Sequence, residues 1–191
     1  MSNSTLCKGD NMFTLLILWN TMMIPPEHIP EINAAINTIT AHKEKYVVAQ
    51  KKTGIDWKIL GAIHYMEANC NFDRQLFNGE YWTEVTKKTP EGVGPWDSWL
   101  ESTVSFVKTS ALGPKDNLHE TLLKLEAHNG LGYMYLGMNS PYLWNYSNHQ
   151  ERGKFTADGV FDPTLKSKQV GAAVILKLLK YNIPTQLELP L

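Results

Sequence analysis

One carboxylate in this chain of 191 residues falls where an apolar residue is expected. The apolar positions of a predicted helix over residues 57–69 form one stripe on a helical wheel: Ile59, Leu60, Ile63 and Met66. Glu67 lies in the middle of that stripe, in the last turn of the helix. Loss of water around the charged form and the negative end of the helix dipole would both favour a retained proton. Such a group is suited to general acid catalysis. The alternative is structural: Glu67 pairs with Arg74 or caps backbone amides.

A general acid acting on a glycosidic bond commonly works with a second carboxylate across the sugar. The loop after Glu67 offers four acidic residues: Asp73, Glu80, Glu84 and Glu91. Glu80 is the best placed, because Asn78-Gly79 favours a tight turn that would present it at the mouth of a hairpin. Thr86, on the returning arm of that hairpin, would hydrogen-bond a water or orient the carboxylate. A solvated loop glutamate and a plain strand threonine are the alternatives.

Other kinds of chemistry have weaker support in the sequence. His64 and Glu67 are three residues apart on one helix face, a spacing that metal sites use, but no further histidine or carboxylate adds a ligand pattern. A metal-dependent amidase is therefore a minor alternative. No nucleophile elbow and no phosphate-binding loop is present. The sequence predicts neither a cofactor nor a metal.

The charge balance restricts the class of partner. Eighteen basic and nineteen acidic residues give a formal charge of -1, so no basic excess indicates binding to nucleic acid. Aromatic residues concentrate instead in polar stretches such as Tyr81-Trp82 and residues 142–146. Rings in such stretches line sugar or peptide grooves, or else they close a core under loops. If the substrate is a polyanion, shape and aromatic contact must supply most of the affinity.

The elements that must position these residues are mainly helical. Helices are predicted over residues 11–26, 30–52, 57–69, 98–110, 116–128 and 167–181. Asn-Gly, Pro-Glu-Gly and Gly-Pro punctuation over residues 71–95 predicts a hairpin or long loop, with a β-friendly piece from Tyr81 to Thr86. Residues 131–165 show little periodicity, and a stretch of this length in a compact domain is usually functional. The pattern predicts a helical bundle with a small β insertion beside a groove.

The segment from Gly61 to Phe72, GAIHYMEANCNF, resembles the end of the catalytic helix in goose-type lysozymes and soluble lytic transglycosylases. More specifically, the chain resembles bacterial and phage lysozyme family proteins, including phage endolysins. The matching pieces, in order along the chain, are LWNTM at 18–22, IHYME at 63–67, NGE at 78–80, PEGVGPW at 90–96, HNGLGY at 128–133, SPYLW at 140–144, GKFTADG at 153–159 and SKQ at 167–169. The resemblance therefore covers nearly the full length.

The resemblance implies an α+β lysozyme-like fold and a muramidase that cleaves the β-1,4 bond between N-acetylmuramic acid and N-acetylglucosamine in peptidoglycan. It implies that Glu67 is the general acid and that the turn containing Asn129 faces the sugar. Tyr133, Tyr142 and Trp144 would then line the groove. Two positions depart from the family: Glu80 stands where an aspartate is usual, and His128 stands where many relatives have tyrosine. The closest functional alternatives are a lytic transglycosylase, which forms 1,6-anhydromuramic products, and a non-catalytic glycan-binding protein.

Further expectations concern organisation and location. We expect one catalytic domain over residues 1–191, a flexible tail over residues 1–11, no separate wall-binding module and a monomer that binds peptidoglycan strands. The apolar run from Met12 to Trp19 is too short to span a bilayer and lacks a small-residue cleavage site, which argues against a signal peptide and membrane insertion. The protein would stay in the cytoplasm until its release to the wall, or be exported to the periplasm.

Overall fold

A computed structural model describes residues 8–157 and 159–181 of the chain. About half of the protein is helical, with nine α-helices, one short 3-10 helix over Pro26–His28 and one two-stranded antiparallel sheet in the described residues. The α-helices are α1 (Lys8–Thr21), α2 (Ile29–Ala41), α3 (Lys43–Thr53), α4 (Trp57–Ala68), α5 (Trp99–Thr109), α6 (Leu118–His128), α7 (Gly132–Tyr135), α8 (Pro141–Trp144) and α9 (Ala172–Leu178). The predicted mainly α class with a small β part is confirmed.

The core lies around α4, whose buried face includes Ile59, Leu60 and Ile63. Helices α2, α3 and α9 all contact α4, and α9 also packs against α8. The N-terminal helix α1 contacts α6. It already includes residues 8–11, so the tail predicted over residues 1–11 is wrong for that part; residues 1–7 lie outside the described residues. In the described part, no helix combines the length and apolar character needed to cross a bilayer.

The long helix predicted over residues 30–52 is two helices. The chain turns at His42, whose φ of -113° and ψ of 15° leave the helical region, and its ring lies edge-on to Phe72 at 5.0 Å between centroids. Helix α2 packs against α9, while α3 packs against α5. The apolar periodicity continues from α2 into α3, so the sequence pattern alone did not show the break at His42.

The β structure lies in a different segment from the predicted one. Residues 71–95 form an irregular loop whose one described bridge joins Arg74 to Tyr81. The two-stranded sheet instead pairs β1 (Lys154–Ala157) with β2 (Val160–Asp162), inside the stretch predicted to be irregular. The loop is held by side chains that bond to the backbone, such as Trp82 Nε1 donating to the carbonyl of Phe72 at 2.8 Å. Such bonds take the place of a strand ladder, so of the two predicted forms, a hairpin or a long loop, the long loop is the one observed.

The ends of two other helices also differ from the predictions. Helix α6 is capped by Asn117 rather than Asp116, because the Asp116 carboxylate accepts from the amide of Gly113 and pairs with Lys124 at 2.5 Å. Helix α9 begins at Ala172 rather than at residue 167. The side-chain amide of Asn145 donates to the carbonyls of Ser167 and Gln169, and these two residues are therefore held outside the helix. By contrast, α4, capped by Asp56, and α5, capped by Ser98, lie within a residue of the predicted ranges 57–69 and 98–110.

Candidate active site

Glu67 lies in the last turn of α4, at the surface of the core, with its side chain 18% exposed. The hydroxyl of Tyr142 donates to Glu67 Oε1 at 3.1 Å, and Nε2 of His128 lies 3.3 Å from the same oxygen. The predicted structural alternative, a pair with Arg74, is not formed. Arg74 donates to the carbonyl of Gly79 and stacks on the ring of Tyr81. The carboxylate therefore has two polar neighbours on Oε1, and both come from the C-terminal half of the chain.

Three separate segments hold the C-terminal end of α4. Asn69 ends the helix in the left-handed conformation, with φ of 49°. The side-chain amide of Gln169 donates to the carbonyls of Tyr65 and Met66, at 3.1 and 2.8 Å, and the Tyr65 carbonyl also accepts from the amide of Asn69. Gly79 packs on the backbone of Glu67 so closely that a Cβ would lie 2.1 Å from the Glu67 carbonyl oxygen. The position of Glu67 is therefore determined by contacts far apart in sequence.

Glu80 follows directly after that glycine, so the loop brings it to the same end of α4. Its Oε2 accepts from the backbone amides of Lys87 and Lys88, both at 3.1 Å. The bond from Lys88, with that from Lys87, holds the pKa of the Glu80 carboxyl below its ordinary value. Glu80 is thus an ionised, partly exposed carboxylate whose orientation is fixed by the amides of Lys87 and Lys88.

Thr86 is buried, and its hydroxyl is used within the loop. It donates to the carbonyl of Pro90 at 2.5 Å and accepts from the amide of Val93 at 3.1 Å. The prediction that this hydroxyl orients a water or a carboxylate is therefore not supported by its contacts. Thr86 instead braces the turn that presents the amides of Lys87 and Lys88 to Glu80, and its effect on Glu80 is indirect.

A groove of about 430 Å³ opens beside Glu67. Its walls come from the end of α4, the turn after α6, the start of α8 and the β1–β2 hairpin, and include Met66, Asn129, Tyr133, Tyr142, Phe155 and Gln169. Glu67 itself is not part of the wall, but Tyr142 both lines the groove and donates to Glu67. The carboxylate therefore stands at the edge of the groove, one hydroxyl away from its interior.

The four residues predicted to line a groove have different positions. Asn129 is exposed and lines it, next to Gly130. Tyr133 lines it while its hydroxyl accepts from the amide of Phe155 at 3.0 Å, which fixes β1 against α7. Tyr142 lines it at 8% exposure. Trp144 does not line it: its side chain is 1% exposed and belongs to the hydrophobic core, so this expectation is corrected. The SPYLW segment is a helical turn in which alternate residues face opposite ways.

Burial and its contact with Glu67 raise the pKa of Tyr142 well above its ordinary value. The phenol therefore keeps its proton at every physiological pH and remains a donor to Glu67. Glu67 Oε1 therefore receives this bond and also faces His128. The arrangement is suited to proton transfer from a carboxylic acid to an oxygen bound in the groove.

The residues of the metal hypothesis are separated. His64 is fully buried, and its two ring nitrogens bond to the hydroxyl of Tyr46 and the carbonyl of Asn71, both at 2.9 Å. Burial lowers the pKa of His64 to about 4. Glu67 stands at the edge of the groove instead, bonded to Tyr142. Among residues 8–157 and 159–181, no group of three or more histidine, cysteine, aspartate or glutamate side chains is arranged to hold a metal ion.

Three contributors to the site were not assigned a role from the sequence. His128 approaches Glu67 and packs its ring against Phe106 and Tyr142. Gln169 caps α4, and Phe155 forms part of the groove wall. Their sequence signal was available only as motif pieces, because His128 ends a helix, Gln169 lies in a loop and Phe155 lies in a strand of four residues, where periodicity carries little information. Comparisons with family models, with curated proteins and with solved structures found no match to this chain, so its function is inferred from this geometry and from the sequence motifs.

Proposed function

We propose that the protein is a peptidoglycan hydrolase that cleaves the β-1,4 bond between N-acetylmuramic acid and N-acetylglucosamine, with Glu67 as the general acid. The observation that carries this proposal is the placement of Glu67: a mostly buried carboxyl group at the end of a core helix, tied by Tyr142 to a groove of about 430 Å³. The lysozyme-like motifs in the sequence supply the substrate class.

In the proposed reaction, Glu67 Oε2 donates a proton to the glycosidic oxygen while positive charge develops on the sugar ring. The hydroxyl of Tyr142 stabilises the carboxylate that remains, because its bond to Oε1 strengthens as negative charge appears there. Glu80, which is ionised and fixed by two backbone amides, is the second carboxylate of the proposal. It would stabilise the positive ring or activate a water.

The substrate would be held by the groove rather than by charge. The net charge of the chain is -1, and among the described residues Lys154 is the one cation in the groove wall. The wall offers Asn129 for hydrogen bonds and the rings of Tyr133 and Phe155 for contact with sugar faces. The expected partner is therefore a glycan strand of peptidoglycan, bound by a monomer.

The test compares lysis of outer-membrane-permeabilised Gram-negative cells by the wild type and by Glu67→Gln. We expect the variant to lose activity by a factor of about 10² to 10⁴, because Gln keeps the shape but has no proton to deliver. Glu44→Gln is the matched control, since Glu44 is an exposed glutamate on α3. Equal, negligible lysis by wild type and Glu67→Gln would instead favour a glycan-binding protein without catalysis.

The released fragments identify the reaction. Hydrolysis leaves a reducing muramic acid end, whereas a lytic transglycosylase, in which the C6 hydroxyl of that sugar attacks, leaves an anhydro product lighter by one water. We expect mass spectrometry of the muropeptides to show reducing ends, because Glu80 provides an ionised second carboxylate. Anhydro ends together with an active Glu80→Gln variant would overturn the hydrolase assignment and leave Glu67 as the sole catalytic carboxyl.

Access to the wall is the remaining part of the proposal. We expect the protein to wait in the cytoplasm for a membrane pore or to be exported to the periplasm. Fractionation of cells that express the full chain, before and after the membrane is permeabilised, tests this. Protein found stably in the membrane fraction under both conditions would contradict it.

A further inference from the structure

A second cavity lies behind the wall of the groove. It has a volume of about 190 Å³ and lies between α1, α6 and the segment from Met134 to Trp144. Most of its lining is apolar and includes Leu15, Leu18, Met138 and Trp144. None of its lining residues is shared with the groove. It is therefore a separate site to which the proposed hydrolase reaction assigns no role.

One carboxyl group stands in this apolar surface. Glu126, on α6, lines the cavity and is 4% exposed. Its Oε2 accepts from the hydroxyl of Ser140, which in turn accepts from the amide of Leu143 and so caps α8. Its Oε1 is buried and has no hydrogen-bond partner among the residues that the structure describes. A buried polar atom without a partner is costly, and native proteins rarely keep one without a reason.

The neighbouring polar groups are already engaged. Asn139 also lines the cavity, but its side-chain amide donates to the carbonyl of His149 at 3.0 Å. No lysine, arginine or histidine is among the residues of the cavity wall. What the site lacks is therefore a donor for Oε1, and a cationic donor would also supply the missing counter-charge.

We propose that this cavity binds a small primary amine with an apolar body, whose ammonium group donates to Glu126 Oε1. The volume supports this size, since an apolar protein cavity of about 150 Å³ is enough to hold benzene. About 190 Å³ accommodates a six-membered ring with one or two further heavy atoms. The ring would contact Leu15, Leu18 and Trp144, and the ammonium would reach the carboxyl on the α6 side.

The test is binding of three probes of similar shape to the full chain at pH 8, measured by titration calorimetry. The probes are benzylamine, benzyl alcohol and toluene, which carry a charged donor, a neutral donor and no donor. We expect benzylamine to bind at least about tenfold more tightly than either of the others, since hydrogen bonds to charged groups are the stronger class.

Two variants assign that preference to the cavity. Glu126→Gln is expected to bring the affinity for benzylamine within about twofold of that for toluene. Leu15→Trp fills the cavity from α1, leaves Glu126 intact and is expected to abolish binding of all three probes. It also tests the proposal if Glu126→Gln does not fold, as checked by circular dichroism.

Three results overturn the proposal. Absence of binding by every probe would mean that the cavity holds only water. Equal affinity for the three probes would mean an apolar cavity without an amine site. Undiminished benzylamine binding by Leu15→Trp would place the amine elsewhere. None of these measurements uses lysis, so they succeed or fail independently of the proposed hydrolase activity.

Discussion

Two buried titratable groups make the stability of this protein depend on pH with opposite signs. Burial raises the pKa of Glu126 from 4.5 to about 7, against a smaller lowering effect of its bond to Ser140. Burial lowers the pKa of His64 from 6.5 to about 4. Both side chains are almost fully enclosed, at 4% and 0% exposure. Their shifts therefore report free energy differences between the folded and unfolded chains.

The sign of each pH dependence follows from whether the folded or the unfolded chain holds the proton. Between pH 4.5 and 7 the unfolded chain has released the proton of Glu126 while the folded chain retains it, so the free energy of unfolding falls as pH rises. Between pH 6.5 and 4 the unfolded chain has protonated His64 while the folded chain has not, so the free energy of unfolding falls as pH falls. At about 1.4 kcal/mol per pKa unit, each effect amounts to about 3 kcal/mol. From pH 4.5 to 6.5 the two contributions to the free energy of unfolding nearly cancel.

The variant Glu126→Gln separates the contribution of Glu126 from that of His64. The variant lacks the effect of Glu126 and keeps that of His64, so its free energy of unfolding should rise by about 3 kcal/mol between pH 4.5 and 6.5 relative to that of the wild type. Urea denaturation followed by tryptophan fluorescence measures both curves, with Glu44→Gln as a control that should parallel the wild type. Parallel curves for Glu126→Gln and the wild type would refute the reasoning, because Glu126 would then titrate alike in both states.

Further predictions concern the site itself. Gly79→Ala should lower the free energy of unfolding by more than about 2 kcal/mol and reduce lysis. The reason is that the added Cβ would lie 2.1 Å from the Glu67 carbonyl oxygen, at a φ of +73°. Gly92→Ala is the control: with a φ of +80° and open space around it, it measures the backbone cost alone. Tyr142→Phe removes the donor to Glu67 and should lower kcat about tenfold with little change in KM, by kinetics on soluble glycan fragments. KM should change less than about threefold from low to physiological salt, since Lys154 is the one cation that the described part of the chain contributes to the groove wall. A steeper rise would contradict binding by rings and hydrogen bonds.

Sequence patterns predicted the helices that carry strong local signals. The cap at Asp56 and the apolar stripe through Ile63 placed α4 within a residue, and that placement was enough to single out Glu67. The break at His42 was missed because periodicity continues across it. The β1–β2 hairpin was missed because its strands, of four and three residues, are too short to show alternation. These errors follow from information that a single segment does not contain.

The predictions of site residues have the same limit: where packing between distant segments decides the position of a side chain, one segment of sequence does not show it. Tyr142 and Trp144 are two positions apart in one short helix, and the packing of α8 on α9 and α6 brings the first to Glu67 and the second into the core. The sequence resemblance assigned both to the groove, and aromatic composition had no means of separating a groove residue from a core residue. Thr86 shows the same limit, since its burial depends on Pro90 and Val93 in the returning part of the loop.

The contacts around α4 explain why the irregular segments are long. Gly79, Tyr142 and Gln169 come from three different parts of the chain, and each meets the last turn of this helix through its backbone or through Glu67. A helix end is the place where backbone acceptors are free, so it can be fixed by outside donors without breaking the helix. Gly79 and Gln169 reach this point from loops, and Tyr142 reaches it from the single turn of α8. Segments without long periodic stretches therefore hold one carboxyl group at the edge of a groove.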